Sequence, residues 1–204
     1  MMALKEHLRP WFQDVAMRMM DDLRPDTVKH ARGDVLEVGF GTGRNLPYYS
    51  TEVRSVCGLD PMVTQGVSPV ERRIEESAFP VQRTTMRADD QLPFDEGRFD
   101  CVVTTWTLCS IPNPEAALEE MRRVLKPGGL YLFLEHGRAR NERTARWQDR
   151  LNPVWACLTE GCNLNRPIDE VVERAGFELS SVDELEGKGP GIVSHLYRGV
   201  ATRR

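Results

Sequence analysis

Asp34-Val35-Leu36-Glu37-Val38-Gly39-Phe40-Gly41-Thr42-Gly43 sets the architecture expected for this chain. Asp34–Gly39 is a short β-branched run that ends in a turn carrying glycines at alternate positions. Such a run fits a buried parallel strand feeding a helix. The glycines free the turn of Cβ groups, so a ligand can approach the backbone, and a helix N-terminus beyond it favours negative charge. The spacing departs from the dinucleotide fingerprint G-x-G-x-x-G/A, because the third glycine comes one residue early and Arg44 fills the next place. A pyrophosphate loop is therefore a poor fit.

Further strands are expected at Val53–Leu59, Val81–Met86, Phe99–Thr105 and Leu130–His136, with helices between them. Ser68-Pro69-Val70-Glu71 reads as a capping box with proline at the first helical position. Asn113-Pro114 caps a helix over Glu115–Leu125, whose apolar Ala117, Leu118, Met121, Val124 and Leu125 share a face. Lys126-Pro127-Gly128-Gly129 stops it. A helical block over Glu142–Thr159 is expected to break at Asn152-Pro153, and Pro167–Ala175 forms a last helix closed by Gly176. Strands near Phe177–Asp183 and Val193–Ala201 have only a loop between them, too short for a crossover, so they pair antiparallel. Upstream, Leu4, Leu8, Phe12, Val15, Met19 and Leu23 mark one stripe of an amphipathic helix that begins near Pro10 and runs to about Leu23. The alternation of strand and helix defines a doubly wound, Rossmann-like α/β fold: a seven-stranded, mostly parallel sheet with an antiparallel last strand.

The 204 residues hold 31 acids against 27 bases, for a net charge of −4. That balance argues against nucleic acid as a partner, because phosphate neutralisation needs clustered Lys and Arg. The 40% of hydrophobic residues argues against disorder. Cys101–Pro114, the longest uncharged apolar run, holds two prolines and falls short of the roughly 20 residues that span a bilayer. Met1–His7 lacks the apolar core of a signal peptide, so a cytoplasmic chain is expected, with peripheral membrane contact left open and a monomer or homodimer as its state. Cys57, Cys101, Cys109, Cys157 and Cys162 are odd in number and sit mostly in apolar runs, which fits reduced, buried thiols. Cys157 and Cys162 are five apart with no histidine at zinc spacing, so no metal site is expected.

Glu37-Val38-Gly39-Phe40-Gly41-Thr42-Gly43, in its E-x-G-x-G-x-G form, resembles motif I of the class I S-adenosylmethionine-dependent methyltransferases, in the methyltransferase type 11 group. Asp60 ends the second strand seventeen residues beyond Gly43, where a carboxylate can accept both ribose hydroxyl protons. Ala88-Asp89-Asp90-Gln91-Leu92-Pro93-Phe94 is similar to the family's adenine-binding loop, although Ala88 occupies a place often held by a polar side chain. Arg122–Gly129 matches the family's helix-to-strand connection. The resemblance implies S-adenosyl-L-methionine as cofactor, with Glu37, Gly39, Gly41, Gly43 and Asn45 on the methionine side and Asp60 and Pro61 at the ribose. It places Ala88, Asp89 and Asp90 at the adenine, Asp89 being favoured for the amino-group contact, and Thr105 and Trp106 complete the cofactor set. One domain over 1–204 is expected: a helical lid at 1–30, a cofactor-binding core at 31–136, a helical insertion over the acceptor site at 137–165, and the last helix and strand pair at 166–204.

Thr107-Leu108-Cys109-Ser110, Glu135-His136, Trp147-Gln148, Pro153-x-Trp155 and Gly161-Cys162-Asn163-Leu164 are together similar to the mammalian membrane-associated alkyl-thiol S-methyltransferases, the methyltransferase-like seven group. The likeness covers about Val35–Ala201, and it implies a small, fairly apolar acceptor, with a thiol favoured. Ligands in this fold sit at the carboxyl ends of the strands, so Leu108, Cys109, Glu135 and His136 border the methyl. Trp147, Trp155 and Cys162 from the insertion, with Trp11 and Phe12 from the first helix, complete an apolar acceptor pocket. His136 is the candidate base; Glu135, beside it on the strand, points to the opposite face. The commoner role for such a histidine is to orient or pack beneath the loop. Cys109 and Cys162 also admit arsenite binding, although buried structural thiols are commoner. Arg138, Arg140, Arg143, Arg146 and Arg150 read as a solvated helix face, or else as a grip on an acidic substrate or lipid headgroup. The alternatives to a thiol are N-methylation of an amine such as a phospholipid headgroup, C- or O-methylation of a quinone-like or natural-product ring, and a module that binds S-adenosylmethionine without turnover.

Overall fold

The computed structural model describes residues 14–15, 17–62, 66–159 and 161–204. The expected strands form at β1 (Gly33–Val38), β2 (Val53–Asp60), β3 (Val81–Thr85), β4 (Phe99–Thr105), β5 (Leu125–His136), β6 (Phe177–Glu186) and β7 (His195–Arg203). They join in one sheet in the order β3-β2-β1-β4-β5-β7-β6. The first five pair in parallel, and β7 enters between β5 and β6, antiparallel to both. Period-two alternation splits the apolar strands between two cores. Leu36, Val38, Val102, Tyr131 and Phe133 pack on one face, while Val35, Cys101, Val103 and Leu132 pack on the other. The helices are α1 (Arg24–Val28), α2 (Ser68–Glu75), α3 (Pro114–Val124), α4 (Glu142–Leu158) and α5 (Ile168–Arg174). The stripes of α3 and α5 cover the first core, and Val28 and Val70 join the second. Among the described residues no helix is long and apolar enough to cross a membrane.

Several local expectations give way to longer-range contacts. No α-helix follows the glycine-rich turn: residues 41–45 are turns and Leu46–Tyr48 is a short 3-10 segment with Pro47 in its first turn. The Ser68 side chain caps nothing; Val67 is the N-cap, and the Glu71 carboxylate accepts from the Gly66 N–H at 2.8 Å. Asn113 caps α3 as expected, accepting from the Ala116 N–H. The α4 helix runs through Pro153 without a break, since proline removes one hydrogen bond while Asn152 anchors that turn. The Asn152 side chain donates to Asn163 Oδ1 and accepts from the Leu164 N–H. The part of the first helix before residue 14 lies outside the described residues; beyond it, Arg18–Leu23 is 3-10 and the chain continues helically as α1.

Candidate active site

A cavity of about 1140 Å³ opens at the carboxyl ends of β1, β2, β4 and β5, where β1 and β4 lie side by side while their following chains diverge. This is the crevice in which α/β sheets hold ligands. Its β1–β2–β3 side carries three carboxylates, Glu37, Asp60 and Asp89. Gly39 stands there because its φ is +77° and an added Cβ would overlap the Thr107 side chain. Asp60 fixes the turn: its carboxylate accepts from the Gly41 N–H and the Met62 N–H, each at 2.8 Å. Ala88 and Asp89 line the cavity on a loop held by α3. There Glu120 accepts from the Leu92 N–H, and Arg123 donates to the Leu92 and Phe94 carbonyls.

Glu37 is buried at the floor, accepting from Asn45 Nδ2 at 3.0 Å and from the Tyr49 hydroxyl at 2.8 Å. Burial pushes its carboxyl up to about 7, against the pull of those hydrogen bonds and of the Arg24 charge. Arg24 escaped sequence reasoning because its partners lie far along the chain. It donates to Asn45 Oδ1 and Thr105 Oγ1, and its guanidinium sits 4.8 Å from the Trp106 ring centroid. Trp106 has φ +52°, a strained conformation for a bulky residue, and its buried indole nitrogen has no partner. Asp14 ties the N-terminal segment to the turn: its carboxylate takes Thr42 Oγ1 at 2.7 Å, Arg73 at 2.6 Å and Arg44 at 2.8 Å. Those partners hold its pKa well below the usual range despite burial.

The β4–β5 side is different in kind. Cys109, His136, Trp155, Leu158 and Cys162 line it, with Ile111 and Pro112. Cys162 Sγ stands 3.6 Å from Cys109 Sγ and 3.4 Å from His136 Nδ1. The proton shared between the sulfurs favours charge on Cys162, lowering its pKa with help from His136, and raises that of buried Cys109. Spacing along the chain shows no metal constellation; the fold assembles this one from the end of β5 and two separate loops.

The structure moves several expected residues away from the cavity. Gly43 faces Phe40 and Leu46, and an added Cβ would meet them at 3.1 and 3.2 Å. Asn45 acts through Glu37 rather than lining the space, Asp90 is exposed, and Leu108 is core. Glu135 is fully buried, one oxygen accepting from the Thr107 and Cys109 N–H groups, so it braces the loop after β4 instead of meeting an acceptor. Trp147 is 45% exposed with Arg150 over its ring, whereas Trp155 reaches the cavity. Eight residues separate them, and at 3.6 residues per turn they point about 80° apart. Cys157 is exposed, unlike the buried thiol expected. Arg138, Arg140 and Arg146 pair with Asp149, Asp169 and Glu142, leaving them little part in gripping a ligand. Trp11 and Phe12 lie outside the described residues.

Carboxylates spaced along one side, an open turn at Gly41 where an added Cβ meets only the Gly39 carbonyl at 3.9 Å, and a cavity larger than one small ligand needs fit an amino-acid nucleoside with an acceptor beside it. The methyltransferase-domain family profile matches residues 7–182. This chain belongs to the methyltransferase family. A solved S-adenosylmethionine-dependent methyltransferase from Thermotoga maritima, titled a possible histamine N-methyltransferase, matches this methyltransferase in fold at a TM-score of 0.67. That match covers 100% of both chains at 20% identity. A human thiol S-methyltransferase is 34% identical over 154 residues, 74% of this methyltransferase and 63% of the human protein, so the chain spans just under two thirds of that relative's length. A phosphatidylethanolamine N-methyltransferase from Cereibacter sphaeroides is 35% identical over 105 residues, 51% of each chain.

Proposed function

We propose that this methyltransferase S-methylates a small, fairly apolar thiol. The observation that carries the reading is the division of the cavity. Every carboxylate among the described lining residues stands on the β1–β2–β3 side, and the β4–β5 side offers sulfur, one imidazole, the hydroxyls of Thr107, Ser110 and Thr159, and apolar surface. A cationic amine headgroup would find no carboxylate there, and Arg24 already takes one face of Trp106. A neutral thiol asks for less, since its pKa is about 8.5 and its thiolate is intrinsically nucleophilic. The human relative's name supports the same acceptor class.

S-adenosylmethionine supplies a methyl group on a sulfonium, which makes that carbon electrophilic. The protein's task is then to place a nucleophile in line with the carbon and keep water out. Glu37, Asp60 and Asp89 hold the donor from one side. Trp155, Leu158 and Ile111 enclose the acceptor's apolar body, and His136 with the two cysteines meets its sulfur. Met17 and Met20 of the N-terminal segment, and Trp155, Leu158 and Cys162 of the insertion, line the cavity. Gln148 docks that insertion, donating to the Gly137 and Ile192 carbonyls and accepting from the Ala139 N–H.

The test is S-adenosylhomocysteine release with a panel of alkyl and aryl thiols against amines and phenols of matched shape. Turnover confined to thiols, falling on His136→Ala with S-adenosylhomocysteine affinity retained, supports the reading. Turnover confined to amines or phenols removes the acceptor assignment and leaves the methyltransferase intact.

A further inference from the structure

Cys109, His136 and Cys162 present ligand atoms that all lie within 4.8 Å of one another. Their edges can be compared with the geometry of a bound ion. A tetrahedral zinc with Zn–S of about 2.3 Å and Zn–N of about 2.05 Å holds two sulfurs about 3.8 Å apart, and a sulfur and a nitrogen about 3.6 Å apart. The protein has 3.6 Å between the sulfurs and 3.4 Å between Cys162 Sγ and His136 Nδ1. These two edges need to open by only about 0.2 Å; the third, from Cys109 Sγ to the imidazole, is within 4.8 Å and closes by at most about 1.2 Å, a shift that a side-chain rotation supplies.

The surroundings fix this triangle. The Cys109 carbonyl accepts from both the backbone N–H of Asn163, at 2.9 Å, and its side-chain amide, at 3.1 Å, which laces the loop of Cys162 to that of Cys109. Asn152 of α4 in turn holds Asn163, and Glu135 holds the Cys109 N–H. Backbone ties of this kind orient ligands before an ion arrives. All three side chains border the cavity, so a fourth coordination position opens toward the acceptor end. Two cysteines and a histidine with one open position is an arrangement of catalytic rather than structural zinc.

We propose that Cys109, His136 and Cys162 bind a soft divalent cation, zinc being the natural occupant, whose open position takes the acceptor thiol. The proposal rests on the thiol reading above and specifies how that thiol is activated. Two thiolates and a neutral imidazole balance the dication. As the acceptor sulfur binds the metal, its S–H bond breaks and the proton leaves to solvent. The bound thiolate then uses a lone pair to form the new S–CH₃ bond, while the methyl–sulfonium bond breaks and its electron pair stays on the donor sulfur. Two neutral thioethers result, and the methylated product, a weaker ligand than a thiolate, leaves the metal.

The experiment uses the full chain, reduced and stripped of metal, then titrated with Co(II) as the spectroscopic probe and separately with zinc. One equivalent of cobalt should give sulfur-to-cobalt charge-transfer absorption, and adding an alkyl thiol should shift it. Cys162→Ser and Cys109→Ser should lose that absorption, with S-adenosylhomocysteine affinity reporting that each variant is folded. Cys157→Ser, exposed and away from the cavity, should keep it. Zinc should raise kcat/KM for thiols by about tenfold or more over the stripped protein. No thiolate band in the wild type, or a band that survives in both cysteine variants, overturns the site. Thiol turnover that is undiminished in the stripped protein also overturns it, while sparing the thiol reading. A band shifted by thiols with no methylated product supports the site and removes the thiol reading instead.

Discussion

Replacing Glu37 by glutamine should leave a pH signature that packing changes cannot mimic. Burial lifts the carboxyl from the ordinary 4.5 to about 7. At about 1.4 kcal/mol per pH unit, this is a cost of about 3 kcal/mol once the group is ionised. The residue is 1% exposed, so solvent screening does not dilute it. The folded value lies above the unfolded one. Between pH 4.5 and about 7 the folded chain therefore keeps a proton that the unfolded chain has lost, and stability falls as pH rises through that window. Glutamine can serve both neighbours without a charge. Asn45 cannot flip, because its Oδ1 accepts from Arg24, so the glutamine oxygen takes the Asn45 N–H and its amide donates to the Tyr49 hydroxyl. Urea titrations from pH 5 to pH 8 should show the variant gaining about 3 kcal/mol relative to the wild type. Donor binding should run the other way if, as proposed, Glu37 holds the donor, because an ionised carboxylate attracts the ammonium of its methionine end. Wild-type affinity for S-adenosylhomocysteine by calorimetry should rise about tenfold from pH 6 to pH 8, and the variant should lose that rise. Comparing the two proteins cancels the ligand's own titration. Parallel profiles in stability and affinity would refute the charge placed on Glu37.

Three further outcomes follow from the same geometry. Gly39→Ala forces a side chain against Thr107 at a φ of +77°. It should cost at least about 2 kcal/mol in thermal or urea unfolding and abolish S-adenosylhomocysteine binding; unchanged binding would mean the turn is not where the donor lies. Asp14→Asn leaves Arg44 and Arg73 without their shared carboxylate and should cost about 3 kcal/mol, read by urea unfolding, with weaker donor affinity as the Thr42 tie loosens. Trp155→Ala should lower turnover of the best thiol about tenfold, whereas Trp147→Ala should leave turnover unchanged and stability within about 0.5 kcal/mol. Equal losses in both would break the assignment of the α4 faces.

The carboxylate side of the cavity was legible because it is built from local signals. Asp34–Gly43 encodes a strand and its turn in ten consecutive residues, and Asp60 and Asp89 follow strands whose ends are marked by their own composition. Hydrogen-bond partners chosen at a distance were not legible. The helix expected after Gly43 yields to a 3-10 turn in which Asn45 is held by Glu37, Thr105 and Arg24. Nothing in the N-terminal segment announces that Arg24 and Asp14 will close over the turn, because a charged residue on an amphipathic helix reads as solvated until its partners are known. Glu135 differs for the same reason: its place at the carboxyl end of a strand suggests a ligand contact, but its carboxylate satisfies two backbone N–H groups of the loop after β4.

The sulfur side of the cavity shows why chemistry assembled from distant segments resists reading by spacing. Cys109 follows β4, His136 ends β5 and Cys162 follows α4, so successive members stand 27 and 26 positions apart, far beyond the short repeats by which metal ligands are usually recognised. Parallel β4 and β5 bring the first two side by side, and the asparagine lacing of Asn152 and Asn163 brings in the third. These asparagines carry no chemistry of their own, yet they make the approach of the two sulfurs a property of the fold and not of chance rotamers. A carboxylate side fixed by strands and a sulfur side fixed by loop lacing can therefore vary separately.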